Sequence, residues 1–219
     1  MSNTTTEKIF HSAQQIIFEK IGDKLRPEAL KNLLAFLFVI FEKIASNFEI
    51  ISRNYIEIYH DVVKEEIKLA NIFPNDKVLV IGCGSIPSTS VILAEETNTQ
   101  ITALDYDPKA VTKASRYVKK HNLQDKIKIQ FGDGAKYPVR DFSVIFVLYG
   151  VKNKLQLLKY LSDEVNENTR LIYRTSRDMR GKIQDDQIQL SKLFQIKNIV
   201  RTNSFGTMDS FLLLKKKMA

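Results

Sequence analysis

The spacing of apolar residues changes once along this chain, and the change divides it. Up to residue 72 apolar positions recur every three or four residues, with Gly22 the only glycine and Pro27 the only proline. That period belongs to amphipathic helices. A first helix is predicted from Thr5 to Ile21, with Ile9, Ala13, Ile16 and Ile17 on one face and Gly22 as its stop. Pro27 suits the first turn of a second helix running to Ala45, because the amide it lacks is one that a helix start leaves unbonded anyway. A third helix, from Asn47 to Ile72, carries Ile51, Tyr55, Ile58, Tyr59, Val62 and Val63 along one stripe, and Pro74 is expected to end it.

From Asn75 onward, short apolar runs alternate with amphipathic segments. Strands are predicted at Val78–Ile81, Ile101–Leu104, Ile127–Phe131, Val144–Leu148 and Leu171–Tyr173, with helices at Thr89–Glu96, Lys109–His121 and Lys154–Val165. Strand and helix in alternation mean a parallel sheet with right-handed crossovers. Wholly apolar strands are covered on both faces. The chain closes with two extended stretches, Ile196–Arg201 and Ser210–Leu214, separated by Ser204-Phe205-Gly206, which read as a terminal antiparallel hairpin. The expected organisation is a helical cap over residues 1–74 and an α/β domain over residues 75–219.

Composition narrows the class. Hydrophobic residues make up 44% and charged residues 26% of the 219, the usage of a soluble globular protein. Cys83 is the only cysteine, so neither an internal disulfide nor a Cys-rich zinc site can form, and a reducing cytoplasm is the expected setting. The longest apolar run, Leu33–Phe41, has nine residues where a membrane span needs about twenty. Lys and Arg outnumber Asp and Glu by 33 to 25, so anionic partners, nucleic acid among them, must be weighed.

The segment that promises chemistry is Val78-Leu79-Val80-Ile81-Gly82-Cys83-Gly84-Ser85-Ile86-Pro87-Ser88-Thr89-Ser90, a strand running through Gly-x-Gly into a helix. Ligands bind beyond the carboxyl ends of strands in open α/β sheets. Glycine there allows a tight turn and lets a ligand approach without meeting a Cβ. Twenty-three residues after Gly82, at the end of the second strand, stands Asp105, where a carboxylate can accept both hydroxyls of a ribose. A dinucleotide fold has a third glycine where this chain has Pro87, and a proline in the first turn removes an amide that a pyrophosphate would use. A ligand without phosphate, such as S-adenosylmethionine (SAM), loses little by that. Gly132-Asp133-Gly134, after the third strand, falls where an adenine amino group needs an acceptor. Alone, Asp105 or Asp133 would read as a cap or turn residue; together, at the ends of successive strands, they read as a nucleoside site. Cys83 has no His-Asp pair to make it a nucleophile, and His11, His60 and His121 stand at no metal-ligand spacing. No metal site is indicated.

Residues 77–148 resemble the SAM-binding core of class I methyltransferase-fold enzymes, a Rossmann-like sheet. Within that class, Ile81-Gly82-Cys83-Gly84-Ser85-Ile86-Pro87-Ser88-Thr89-Ser90 is similar to the signature loop of nicotianamine synthases. Asn54-Tyr55, Asp105-Tyr106-Asp107-Pro108 with Ala110 and Ala114, and Leu171-Ile172-Tyr173-Arg174-Thr175-Ser176 agree with the same family. The resemblance implies a seven-stranded sheet, parallel apart from its terminal antiparallel hairpin, under an N-terminal helical cap. It implies SAM as the cofactor-like substrate, bound by Gly82, Cys83, Gly84, Ser85, Pro87, Thr89, Asp105, Tyr106, Gly132, Asp133, Gly134 and Tyr149. Tyr55 is carried over as a catalytic residue near the sulfonium; packing against the sheet is the other reading of it. The family's acidic residue has no assigned counterpart, and Glu42, Glu49, Glu65 and Glu66 all stay open. The family's loop carries two prolines where Ser85-Ile86-Pro87 has one, and its members have a longer cap.

The family's reaction transfers the 3-amino-3-carboxypropyl arm of SAM to an amine and leaves methylthioadenosine, whereas attack on the methyl group leaves S-adenosylhomocysteine. Because SAM is already activated, the protein mainly positions the reactants and removes a proton. The expected activity is therefore a SAM-dependent transferase acting on a small amine or amino acid, with small-molecule methyl transfer as the alternative. Nucleic acid is a less favoured partner, because the fourth strand ends Phe146-Val147-Leu148-Tyr149-Gly150, without the Asn/Asp-Pro-Pro-aromatic motif of enzymes that methylate flipped bases. No membrane partner is expected, and a homo-oligomer is left open.

Overall fold

The computed structural model describes residues 49–177, 189–202 and 208–216, with side chains from Ile56 onward. The helices expected at Thr5–Ile21 and Pro27–Ala45, the Tyr55 side chain and the Ser204-Phe205-Gly206 turn lie outside the described residues. The chain forms two compact units, residues 1–58 and 59–219. Of the first, the described part is the opening of a helix, α1 (Glu49–Ala70), whose remaining turns belong to the second.

The second unit follows the predicted alternation. Its order is β1 (Lys77–Ile81), α2 (Ser88–Thr97), β2 (Gln100–Asp105), α3 (Pro108–Lys120), β3 (Ile127–Phe131), β4 (Val144–Val147), α4 (Lys154–Glu164), β5 (Arg170–Ser176), α5 (Leu190–Leu193), β6 (Phe194–Thr202) and β7 (Met208–Lys215). The strands form one seven-stranded sheet in the order β3-β2-β1-β4-β5-β7-β6. Pairing is parallel from β3 to β5, and β7 runs antiparallel to both β5 and β6. The expected terminal hairpin is thus part of the sheet, and its partner β6 is an edge strand. Strand order reverses at β1, which has β2 on one side and β4 on the other, so the crevice beyond β1 is a topological switch point.

Local chemistry sets the helix ends. Pro74 was expected to end α1, but the helix stops at Ala70 because Asn71 takes a left-handed conformation, φ 48°. The amide of Asn71 donates to Lys68 O at 3.1 Å and that of Ile72 to Ile67 O at 3.2 Å, the two bonds of a Schellman closure. Asn122, φ 55°, closes α3 in the same way. At the start of α3, Asp107 Oδ1 accepts from Lys109 N at 2.9 Å with Pro108 in the first turn.

The core beneath the site is apolar and closed. Leu157, Leu158 and Leu161 of α4 pack on Leu79, Ile81, Ile145 and Val147 of the central strands, and Tyr173, Phe211 and Leu213 extend the layer toward the hairpin. Below the strands' N-terminal ends, Asp76 is held by three groups: Phe73 N at 2.7 Å, Ser143 Oγ at 2.7 Å and the Arg170 guanidinium. Among the described residues, no helix is long and apolar enough to cross a membrane.

Candidate functional site

Strand register defines the edge at which the predicted site residues meet. Ile81 pairs with Leu104 and Val147, Val147 with Tyr173, and Tyr173 with Phe211, so these residues form the last full row across the sheet. One residue beyond that row come Asp105, Gly82, Leu148, Arg174 and Ser210. The glycine turn, the β2 carboxylate and the C-terminal part of β5 therefore share one sheet edge.

The turn folds by passing its backbone over β2. The amides of Gly82 and Cys83 both donate to Leu104 O, at 2.8 and 2.9 Å, and the chain can double back only because Gly82 and Gly84 have φ of 85° and 71°. L-residues with a Cβ are strained there. Space forbids a side chain at Gly82 as well, since a Cβ would sit 2.6 Å from Val151 Cγ2. The turn then brings Gly84 N to 2.8 Å from Asp105 Oδ2, while Asp107 N donates to Asp105 Oδ1 at 2.9 Å. A carboxylate has about four lone-pair positions. Two are spent on these amides, which fix the group while leaving it capacity for two hydroxyls.

Other predicted residues fall around this centre. Cys83 and Ser85 are buried, and Cys83 Sγ lies 3.7 Å from Gly84 O, a small side chain filling the turn. Pro87 occupies the cap position of α2, which has no side-chain cap bond, and Thr89 is buried in the first turn. Tyr106 is exposed, with the Lys152 ammonium 5.4 Å from its ring; a hydrogen bond to the Tyr106 hydroxyl holds the Lys152 pKa above its ordinary value. Gly132 continues from β3, its amide donating to Asp105 O at 3.0 Å. Asp133 is exposed, and its Oδ1 accepts from Ala135 N at 3.0 Å in a tight turn, leaving Oδ2 outward, 4.0 Å from Lys136 Nζ. At Gly134 a Cβ would meet Ile81 Cγ2 at 2.6 Å, whereas at Gly132 the nearest atoms are at ordinary contact distance. Tyr149 is half-buried after β4.

Two features of this edge leave little trace in sequence. Lys154, the first residue of α4, is buried, and its ammonium lies 4.8 Å from the ring centre of Tyr149 and 5.5 Å from that of Tyr173. Glu66 is fully buried against Arg174. Its Oε1 accepts from Arg174 Nε at 2.8 Å and from Ser210 Oγ at 2.6 Å, and its Oε2 from Arg174 Nη2 at 2.5 Å. A glutamate bound in this way is not placed to take a proton from a substrate. Glu65 faces outward and pairs with Lys68. The signal available beforehand was an arginine closing the apolar run Leu171-Ile172-Tyr173, since a buried guanidinium demands a carboxylate. An open concavity bounded by Arg140, Glu164, Asn166 and Lys215 lies at the opposite edge of the sheet, away from all of these groups.

Residues 35–219 match the pattern of the family described as nicotianamine synthase protein. The chain belongs to that family. A curated relative, L-histidine 2-aminobutanoyltransferase of Yersinia pestis, is 28% identical over 129 residues, which cover 58% of this chain and 48% of the relative. The match thus spans about half the relative's length. Among solved structures, MtNAS in complex with MTA and tNA superposes with a TM-score of 0.72 at 20% identity, over 95% of this chain and 82% of that one. An RNA methyltransferase from Salinibacter ruber, in complex with S-adenosyl-L-homocysteine, reaches 0.55 at 17% identity, over 73% and 94% of the two chains. Magnesium protoporphyrin IX methyltransferase from Synechocystis reaches 0.58 at 16%, over 73% and 84%. These structures share the α/β sheet expected from sequence, and the nicotianamine synthase resemblance seen in the glycine turn extends over most of this family member.

Proposed function

We propose that this nicotianamine synthase family member is a SAM-dependent transferase that moves the 3-amino-3-carboxypropyl arm of SAM to the nitrogen of a small amine or amino acid. The observation that carries this reading is the Asp105 carboxylate, fixed by the amides of Gly84 and Asp107 at the edge where the glycine turn opens. A ribose diol is the ligand group that matches such an acceptor, and the exposed Asp133 Oδ2 at the neighbouring strand end matches an adenine amino group. No phosphate is needed, in keeping with Pro87 at the start of α2. Gly82, Cys83, Gly84, Ser85, Thr89, Tyr106, Gly132, Gly134 and Tyr149 line the same edge as the proposed SAM contacts.

In the reaction, the acceptor nitrogen attacks the arm carbon bonded to sulfur, the C–S bond breaks, and its electron pair stays on methylthioadenosine. The nitrogen then loses a proton to a base. Tyr55 is the residue proposed to stand near the sulfonium. The name of the Yersinia pestis relative, an aminobutanoyl transfer to L-histidine, favours the arm over the methyl group as the moved fragment and an amino acid as acceptor. The sheet shared with two methyltransferases makes methyl transfer the second reading. A cytoplasmic location, where SAM is made and a lone cysteine stays reduced, fits either.

Incubating the protein with SAM and a panel of amines and amino acids, and separating the nucleosides formed, tests the reading. Methylthioadenosine appearing only with an acceptor supports arm transfer; S-adenosylhomocysteine in its place shows methyl transfer.

A further inference from the structure

A buried ion pair such as Glu66–Arg174 is not explained by stability alone. Both charges are withdrawn from water, Glu66 completely and Arg174 to 2% exposure, and apolar side chains of similar volume in place of such a pair commonly leave a protein as stable or more so. What the pair supplies is geometry. Through Nε and Nη2, Arg174 of β5 grips Glu66 of α1, and Glu66 also takes the hydroxyl proton of Ser210 on β7. Through Nη1, at 3.3 Å, Arg174 donates to Thr89 Oγ1 in the first turn of α2, while the Tyr59 ring lies 5.6 Å from the guanidinium carbon.

The Thr89 bond matters because of how α2 begins. Pro87 stands at the cap, no side chain caps the helix, and Ser88, Thr89 and Ser90 are all buried. The helix start that follows the glycine turn has no side-chain cap bond at Pro87 and is tied through Thr89 to β5. Register supports the same link, since Arg174 lies in the row of Gly82, one residue beyond the Ile81–Val147–Tyr173 row.

We propose that Arg174 is a positioning residue, which, oriented by Glu66, sets the first turn of α2 and with it the SAM-binding conformation of the glycine turn. The proposal rests on the SAM reading above. It requires a planar fork that addresses Glu66 and Thr89 at once, which a lysine ammonium does not reproduce.

The test measures SAM affinity by calorimetry, and thermal stability in parallel, for the wild type, Arg174→Lys, the double variant Glu66→Met/Arg174→Met, Thr89→Val and Thr89→Val/Arg174→Lys. The expected result is that the Met pair folds with a melting temperature within about 5 °C of the wild type yet binds SAM about tenfold or more weakly. Thr89→Val and Arg174→Lys should each weaken binding, and their combination should lose no more than the worse of the two, because both break one link. A folded Met pair with wild-type affinity overturns the proposal. So does full additivity of the Thr89 and Arg174 changes, which is readable even where the Met pair does not fold. A wild type that fails to bind SAM overturns the underlying reading, and the proposal with it; a wild type and variants that bind equally overturn the proposal alone.

Discussion

Asp105 Oδ2 accepts the amide hydrogen of Gly84 at 2.8 Å across a separation of 21 residues, so the end of β2 and the glycine turn are tied directly to each other. The left-handed Gly84 presents its amide to the carboxylate, which is held also by Asp107 N.

Replacing Asp105 with Ala removes the proposed acceptor for a ribose diol and the partner of the Gly84 amide. SAM binding should weaken by about 1.5 to 3 kcal/mol, the scale of a hydrogen bond to a charged group. Calorimetric titration checks this, and affinity equal to the wild type would remove Asp105 from the site.

The glycines make a paired prediction. Gly82→Ala forces a Cβ into a left-handed residue and to within 2.6 Å of Val151 Cγ2, so it should cost about 1 to 2 kcal/mol from the backbone alone, and more from the clash. Gly132→Ala meets neighbours only at 3.6 Å or beyond and should stay within about 0.5 kcal/mol of the wild type. Chemical denaturation of both variants ranks them, and equal losses would show that the turn is not the strained element described.

Much of this architecture is legible in the chain because period alone separates helix from strand. The switch after residue 72 marks where the sheet begins, and β1 to β5 fall within a few residues of their apolar runs. Helix ends were less legible. A left-handed Asn71 stops α1 ahead of Pro74, and periodicity carries no sign of it. The four-residue α5 is too short to show a period at all. The meeting of Gly82 and Asp105 at one sheet edge could be read because one follows β1 directly and the other ends β2. Glu66 could be seen only as one of several acids, since its partner Arg174 lies 108 residues away and only folding brings the two together. Lys154 was hidden in the same way by the Tyr149 and Tyr173 rings that receive it.

Tyr55 offers a prediction about chemistry rather than affinity. Tyr55→Phe deletes one hydroxyl and keeps the ring, so the variant should fold as the wild type does and bind SAM comparably, while turnover falls by roughly 10²- to 10⁴-fold if the hydroxyl takes part in proton transfer. Steady-state kinetics alongside a SAM titration separates the two effects. Unchanged turnover would return Tyr55 to a packing role on the apolar stripe of α1.

The proposed reaction moves the arm of SAM and leaves the methyl group on sulfur. SAM labelled on the methyl carbon and SAM labelled on the carboxyl carbon, each incubated with the protein and an acceptor panel that includes histidine, decide it directly. Arm transfer puts the carboxyl label in the amine product and keeps the methyl label in methylthioadenosine. Methyl label in the product, with S-adenosylhomocysteine carrying the carboxyl label, would contradict it.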